Sequence, residues 1–380
     1  MKPPAMRLLL ITDTYPPEIN GVARTLSTLA RGLTARGHAV EIVTTRAAES
    51  AEPAGGPARH LVPSLPLPGY PGLRVGLATR GRLRRLFDQF RPDVLYVATE
   101  TPLGLAAIRA ARQAGVPVVS GFHTNFQTYL GDYAPPGVAA LARPLLCALH
   151  NRTARTLTPS ADTAAMLTDW GVRNVGVLGR GVDTALFDPA RRCAELRRSW
   201  GADDATPVAL YVGRVAAEKN LDLLVRAFQT FRTIHPQAPC VVVGDGPRRQ
   251  ALQAAQPDFV FAGARTGEEL ARHYASADVF LFPSVTETFG NVVLEALAAG
   301  LLPVAYDYAG PRQLLRHGAN GWLAPLGDET AFLDGTRAAA KGWNDADRRA
   351  NARTAALEHG WPQVIEQFEA ELHAVLPARP

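Results

Sequence analysis

The feature that most narrows what this chain can fold into is a repeated order of apolar run, polar loop and helical stretch that opens both of its halves. Leu8–Thr12 is a short apolar run, and the loop Asp13-Thr-Tyr15-Pro-Pro-Glu-Ile-Asn20-Gly21 follows it. An amphipathic stretch then reaches Gly37, with Leu26, Leu29, Ala30 and Leu33 at helical spacing. Val208–Val212 starts the second half in the same way. Its loop is Gly213-Arg214-Val-Ala-Ala-Glu218-Lys219, and Leu221, Leu224, Val225 and Phe228 mark the next helix. Further strand candidates are Val40–Thr44, Val94–Val97, Val116–Ser120 and Thr156–Thr158 in the first half. In the second they are Cys240–Val243, Phe259–Phe261, Val279–Phe282, Leu302–Ala305 and Gly321–Leu323. Continuous apolar strands alternating with helices require parallel sheets covered on both faces. The expectation is an α/β chain of two doubly wound domains in tandem, which suits 380 residues.

The rhythm breaks between Gly181 and Pro207, where Asp188-Pro189 and a polar Arg191–Arg198 segment intervene. The predicted domains are 1–185 and 186–360. A last helix over 361–376, with Val364, Ile365, Phe368 and Leu372 on one face, is assigned with 361–380 to the first domain. The Pro-, Gly- and Ala-rich segment 47–73 reads as a flexible loop. No apolar run approaches the roughly 18 residues that span a bilayer; Val292–Tyr306 is interrupted by Glu295 and Pro303. The first residues are too short an apolar stretch for a secretion signal, and three scattered cysteines build no disulfide framework, so a cytoplasmic protein is expected.

Ligands of open α/β sheets bind beyond the carboxyl ends of the strands, so the chemistry is sought in those loops. The densest signal is Phe282-Pro-Ser-Val-Thr-Glu287-Thr288-Phe289-Gly290-Asn291-Val-Val-Leu-Glu295, a strand passing through a polar loop into a helix. Small residues at a helix start let backbone N–H groups approach a phosphate, and the helix dipole favours an anion there. Glu287 and Glu295 cannot be phosphate ligands. They suit hydroxyl groups on either side of a diphosphate, or else are a solvated loop carboxylate and a helix-face glutamate. Arg214 and Lys219, five residues apart after a strand, could hold phosphate oxygens and stabilise a leaving diphosphate. As surface cations they would be ordinary, but lysine occurs only at positions 2, 219 and 341. Gly244-Asp245-Gly246 follows a strand as a tight turn able to line a nucleotide pocket. Asp13 ends a strand, where it either meets a substrate or caps a turn. His123 alone reads equally as a structural histidine. Asp345-Ala-Asp347 has metal-ligand spacing but no strand before it, and reads as a solvated helical face. No metal or other cofactor is expected.

Taken together, these segments resemble glycosyltransferase family 4, retaining enzymes with the glycosyltransferase B fold. Glu287 and Glu295 are similar to its E-x7-E motif. Asn20-Gly21-Val22 resembles its first glycine loop, and Gly121-Phe-His123-Thr-Asn-Phe its active-site histidine loop. Tyr211-Val-Gly213-Arg214 with Glu218-Lys219-Asn220 resembles its diphosphate loop, while Gly181-Val-Asp183, Val243-Gly-Asp-Gly246-Pro247 and Ala309-Gly310-Pro311 complete the order. The similarity covers nearly the whole chain. It implies two Rossmann-like domains facing across a cleft, with the C-terminal helix crossing back to the first. It implies catalytic roles for His123, Arg214, Lys219 and Glu287. Donor contacts are implied at Gly21, Gly213, Gly244, Asp245, Gly246, Thr288, Phe289, Gly290, Asn291 and Glu295, and acceptor contacts at Asp13, Tyr15 and Asn20. The stretch through Tyr129 looks most like the branch that transfers mannose from GDP-mannose in glycolipid assembly. The alternatives are a UDP-glucose or other UDP-sugar enzyme and, outside enzymes, a two-lobed solute-binding protein.

Charge divides the chain. Residues 1–185 hold 20 Lys/Arg against 12 Asp/Glu, and residues 186–380 hold 20 against 23. The stretch Arg80–Arg91 sets Leu83, Leu86, Phe87 and Phe90 on one helical face among arginines. It is either a cover helix of the first sheet or a surface for an anionic membrane, which would place the protein peripherally and suit a lipid or glycan acceptor. No aromatic-basic motif points to nucleic acid.

Overall fold

The structure is a computed structural model, and it describes residues 4–18, 20–45, 56–66, 74–123, 138–287 and 289–377. Two compact units divide the chain: residues 1–179 with 362–380, and residues 180–361. The division therefore falls six residues before position 185, and Trp361 itself belongs to the second unit.

The first unit is built on a seven-stranded sheet. Its strands are β1 (Arg7–Ile11), β2 (Ala39–Thr45), β3 (Ala58–Val62), β6 (Val94–Val97), β7 (Val118–Gly121), β8 (Arg155–Thr158) and β9 (Val175–Val177). They lie in the order β3-β2-β1-β6-β7-β8-β9, and neighbours pair in parallel. A separate antiparallel hairpin joins β4 (Ser64–Pro66) to β5 (Arg74–Gly76). The second unit has a six-stranded parallel sheet of β10 (Ala209–Val212), β11 (Cys240–Val243), β12 (Val260–Gly263), β13 (Val279–Phe282), β14 (Leu302–Tyr306) and β15 (Trp322–Ala324). Its order is β12-β11-β10-β13-β14-β15. In both sheets the chain runs outward from a first strand and then returns to that strand's other side. Loops leaving neighbouring strands diverge at that reversal, beside β1/β6 and β10/β13, and such an edge is where open α/β sheets take ligands.

The central strands have apolar side chains on both faces because helices cover both. Leu8 to Ile11 and Ala209 to Tyr211 have no exposed surface. Segment 47–73 is not simply a loop: Ala58–Val62 adds β3 to the edge of the first sheet, and Ser64–Pro66 belongs to the hairpin. Residues 46–55 and 67–73 lie outside the described residues. The helix Arg80–Phe90 buries Leu83, Leu86 and Phe87 against the sheet, with Phe90 packed beside them, while Arg80, Arg82, Arg84 and Arg85 are exposed. It is a cover helix; its apolar face is not available to enter lipid. Among the described residues no helix is long and apolar enough to cross a membrane. The three cysteines are free, and burial pushes the Cys240 thiol up to about 12.

The helix Trp361–His373 completes the first unit. Phe368 meets the Tyr96 ring edge-on at 4.8 Å, and Ile365 fills the space over Gly32, where an added Cβ would lie 2.3 Å from its Cδ1. Glu369 is buried between two donors of the β2 approach, one of them the Arg36 guanidinium. Arg36 Nε donates to its Oε2 at 2.7 Å and His38 Nε2 to its Oε1 at 2.6 Å. Met6 N donates to His38 Nδ1, which leaves the ring proton on Nε2. Burial raises the Glu369 carboxyl, but the bonds from His38 and Arg36 outweigh it and the net shift is downward.

A carboxylate held below the ordinary glutamate value of 4.5 stabilises the fold above that pH, and the contribution disappears as pH falls through its lower folded value. Glu369→Ala, which strands buried His38, is expected to destabilise the protein by about 2–4 kcal/mol at neutral pH. In urea titrations at several pH values, this variant should lose its penalty in acid; an equal penalty at every pH would refute the linkage.

Candidate active site

Three loops meet the carboxyl ends of adjacent strands β11, β10 and β13. The loop after β10 carries Gly213, Arg214, Glu218 and Lys219, and the loop after β13 carries Ser284, Thr286 and Glu287. An ion pair joins the two: Lys219 Nζ to Glu287 Oε1, across 68 positions of sequence. Ser284 Oγ donates to the same oxygen at 2.8 Å, and Thr286 Oγ1 donates to the Glu218 carbonyl at 3.3 Å. Oε2 of Glu287 has no bond among the described residues, so one carboxylate oxygen fixes the cation and the other is open to a hydroxyl. Arg214 pairs with Glu218 at 3.4 Å; the Glu218 carboxylate is 3% exposed while the guanidinium is 38% exposed. Each cation is therefore anchored by a carboxylate and still reaches solvent.

Backbone proximity explains the glycines. Tyr211 is wholly buried and its hydroxyl donates to the Arg214 carbonyl at 2.9 Å. A Cβ on Gly213 would meet that hydroxyl at 2.8 Å. Burial, then the charges of Glu287 and Glu218, push the Tyr211 hydroxyl far above its usual value, so it stays a donor. Gly244, at φ 142°, lies so close to the β10 loop that a Cβ would sit 1.9 Å from the Gly213 oxygen; Gly246, at φ 158°, would meet the Val215 oxygen at 2.4 Å. Val215 N and Arg248 N tie the loops together through the Asp245 and Val215 carbonyls. Asp245 is exposed and accepts from Gly246 N at 2.7 Å.

Two helices start at this edge, Leu221–Arg232 and Asn291–Ala298, and no side chain caps either one. Gly290 opens the second at φ 87°, and Phe289 before it is buried. Uncapped N–H groups at two helix starts, two anchored cations and close backbone glycines make an arrangement suited to a diphosphate. Glu295 sits one turn into its helix, 4% exposed, and accepts from Tyr274 Oη at 3.0 Å. Thr288 lies outside the described residues.

In the first unit the corresponding edge holds Asp13. Its carboxylate is fully engaged, accepting from Thr99 Oγ1 at 2.7 Å, Thr101 Oγ1 at 2.5 Å and Gly76 N at 2.5 Å. Burial raises its carboxyl, with Thr101, Thr99 and Gly76 opposing. The residue ties the loops after β1 and β6 to the hairpin. Tyr15 is buried under the Arg59 guanidinium, 5.0 Å from its ring centroid. Asn20 caps the helix Gly21–Ala35 by accepting from Ala23 N at 2.8 Å, and Gly21 is exposed at its first position. His123 is 5% exposed, with Nε2 2.8 Å from Tyr96 Oη; Gly121 makes room, since a Cβ there would lie 2.2 Å from that hydroxyl. The continuation of the histidine loop, 124–137, lies outside the described residues.

Sequence reasoning did not single out Glu218, Ser284, Tyr211, Tyr274 or Tyr96, the side chains that hold Arg214, Glu287, the β10 loop, Glu295 and His123. Glu218 and Tyr211 left a trace, as neighbours of Lys219 and Arg214 in the segment that resembles the diphosphate loop. Asp345 caps the helix Ala346–Leu357 and pairs with Arg348 at 2.8 Å.

Comparison with known proteins gives the same assignment along the whole chain. The model for Glycosyltransferase Family 4 matches residues 19–186, and that for Glycosyl transferases group 1 matches 206–341. A GDP-mannose-dependent alpha-mannosyltransferase of Mycobacterium tuberculosis is 36% identical over 375 residues, 97% of each chain. One from Mycolicibacterium smegmatis is 33% identical over 381 residues, 98% of this chain and 99% of that one. Sucrose-phosphate synthase of Thermosynechococcus elongatus has the same fold, with a TM-score of 0.78 at 18% identity over 97% of this chain and 99% of that one. The architecture is thus that of the B-type glycosyltransferases.

Gly244→Ala forces a side chain onto the Gly213 carbonyl and is expected to cost about 2–4 kcal/mol. Gly201→Ala, at φ 83° with open space around it, should cost only the backbone strain of about 1–2 kcal/mol. Melting temperatures of the two variants check this; equal losses would mean that the close approach of the loops is not what requires Gly244.

Proposed function

The chain belongs to glycosyltransferase family 4, and we propose that it transfers mannose from GDP-mannose to a hydroxyl of a lipid or glycan acceptor with retention of the anomeric configuration. The observation that carries the reading is near-full-length likeness to GDP-mannose-dependent alpha-mannosyltransferases, joined to a loop cluster whose charges suit a sugar diphosphate.

Lys219 has three N–H donors and gives one to Glu287, so the others serve the phosphates; Arg214 adds a planar fork. As the glycosidic bond breaks, negative charge grows on the leaving diphosphate, and fixed cations together with two helix starts stabilise that charge more than they stabilise the bound donor. Glu287 accepts a sugar hydroxyl on Oε2, and Glu295 lies further along the chain, in the helix Asn291–Ala298 that follows the loop, on the donor side. His123, positioned through Tyr96, contacts the transferred sugar. Attack from the face that the diphosphate leaves, with a phosphate oxygen taking the acceptor's proton, retains configuration without a covalent enzyme intermediate. The charges of Arg214 and Lys219 and the backbone N–H groups replace what a divalent cation would supply, so the reaction is metal-independent.

Asp13, Tyr15 and Asn20 shape the acceptor side from the first unit. The protein acts at the cytoplasmic membrane face, where exposed Arg80, Arg82, Arg84 and Arg85 contribute attraction to anionic lipid of about 1 kcal/mol each. Because the apolar face of that helix is buried, cosedimentation with anionic vesicles should vanish at high salt; salt-resistant binding would contradict a purely electrostatic contact.

A donor screen with purified protein tests the reading, and turnover of UDP-glucose in place of GDP-mannose would replace it. Activity should survive EDTA. Lys219→Ala is expected to lower turnover about 10²–10³-fold with an unchanged melting temperature; near-normal turnover would remove Lys219 from the chemistry.

A further inference from the structure

A second concentration of positive charge lies in the second unit, at the amino end of its sheet and so at the edge opposite the candidate active site. Asp278, the residue before β13, is fully buried and receives three guanidinium groups. Arg197 reaches Oδ2 at 3.1 Å, while Arg192 and Arg349 reach Oδ1 at 3.0 and 3.1 Å. Val208 N also donates to Oδ2, at 2.9 Å. Arg197 is 1% exposed and its terminal nitrogens are occupied by the Ser276, Asp203 and Thr206 carbonyls. One carboxylate thus answers one enclosed cation and leaves two more on its rim.

Those two are partly open. Arg192 and Arg349 line a pocket of about 600 Å³ with Trp343, Asn344, Asp204 and Ala205, a size that suits a small molecule. Arg192 Nη1 makes only long bonds, 3.3 and 3.2 Å, to the Ala275 and Ala277 carbonyls. Arg349 Nη1 is shared between Asp278 and the Trp343 carbonyl, and its Nη2 has no bond among the described residues. With Asp204 counted, three cations face two carboxylates. Burial lowers the Arg349 pKa, Asp278 opposes that, and Arg192 and Arg197 lower it further.

We propose that this pocket binds the phosphate group of a phosphorylated small molecule. Arg192 and Arg349 both hold Oδ1 of Asp278, which lines the pocket with them, and the N–H groups left over from that contact can fork onto phosphate oxygens. The exposed Asn344 amide adds a neutral donor, and the half-buried Trp343 indole forms a wall beside it. Asp278 keeps both guanidinium groups oriented without neutralising them. The inference is independent of which sugar the enzyme transfers.

Calorimetric titration with inorganic pyrophosphate tests it, using the full chain carrying Arg214→Ala and Lys219→Ala so that the opposite edge does not compete. Binding of one equivalent is expected, weakened roughly tenfold by Arg349→Gln. Asn344→Glu, which leaves all three arginines and Asp278 in place and puts a negative charge at an exposed mouth position, should weaken it at least as much. Both variants are compared at matched melting temperatures, and quenching of Trp343 fluorescence, absent in Trp343→Phe, locates the ligand. No binding in the parent, or affinity unchanged by both Arg349→Gln and Asn344→Glu, would overturn the proposal.

Discussion

Pairing of β10 with β11 on one side and β13 on the other is the constraint from which the rest of the second unit follows. Each link between these parallel strands passes through a helix, and the chain reaches both neighbours of β10 only by reversing direction across the sheet. At that reversal the loops after β10 and β13 part company while their strands remain hydrogen-bonded. Lys219 and Glu287, 68 positions apart in sequence, are thereby held side by side at the ends of paired strands. The loop after β11 closes from the other flank, near enough that glycine is required where it touches the β10 loop.

Electrostatics at that edge has a common design. Lys219 and Arg214 each have a carboxylate behind them, and Glu287 and Glu295 each have a hydroxyl behind them. Lys219 rests on Glu287, which rests on Ser284; Arg214 rests on Glu218; Glu295 rests on Tyr274. Such backing fixes side chains that would otherwise sample several rotamers, so that a ligand bound there would not have to order them. The first unit uses the same device with different residues, Asp13 against two threonines and His123 against Tyr96.

Strand positions, the order of loops and the main charged residues were legible because buried parallel strands are nearly uniformly apolar and their loops carry the chemistry. Edges were not. β3, Ala58-Arg-His-Leu-Val, needs few apolar residues because it pairs on one side only, and Leu61 there is 39% exposed; it hides in a segment rich in proline and glycine. β9 has three residues, too few for a pattern. Apolar spacing in Arg80–Phe90 fits a helix lying on protein or on lipid equally, and only the packing of Leu86 and Phe87 into the sheet separates the two. The supporting hydroxyls were hidden for a different reason. Tyr96 and Tyr211 are, in sequence, apolar members of buried strands; that each sends a hydroxyl to a functional loop depends on where the strand ends.

The helix Trp361–His373 makes the first unit discontinuous in sequence, since residues 362–380 belong with residues 1–179. Phe368 and Glu369 supply a wall for Tyr96 and the hydrogen-bond acceptor for His38, both far upstream. During synthesis the whole of the second unit therefore leaves the ribosome before the first can close. A chain halted anywhere in that interval presents an unfinished apolar surface over Tyr96 and Gly32, so a partial translation product carries its own mark for chaperones and proteases, while the residue that positions His123 is held firmly only in a chain translated past that helix.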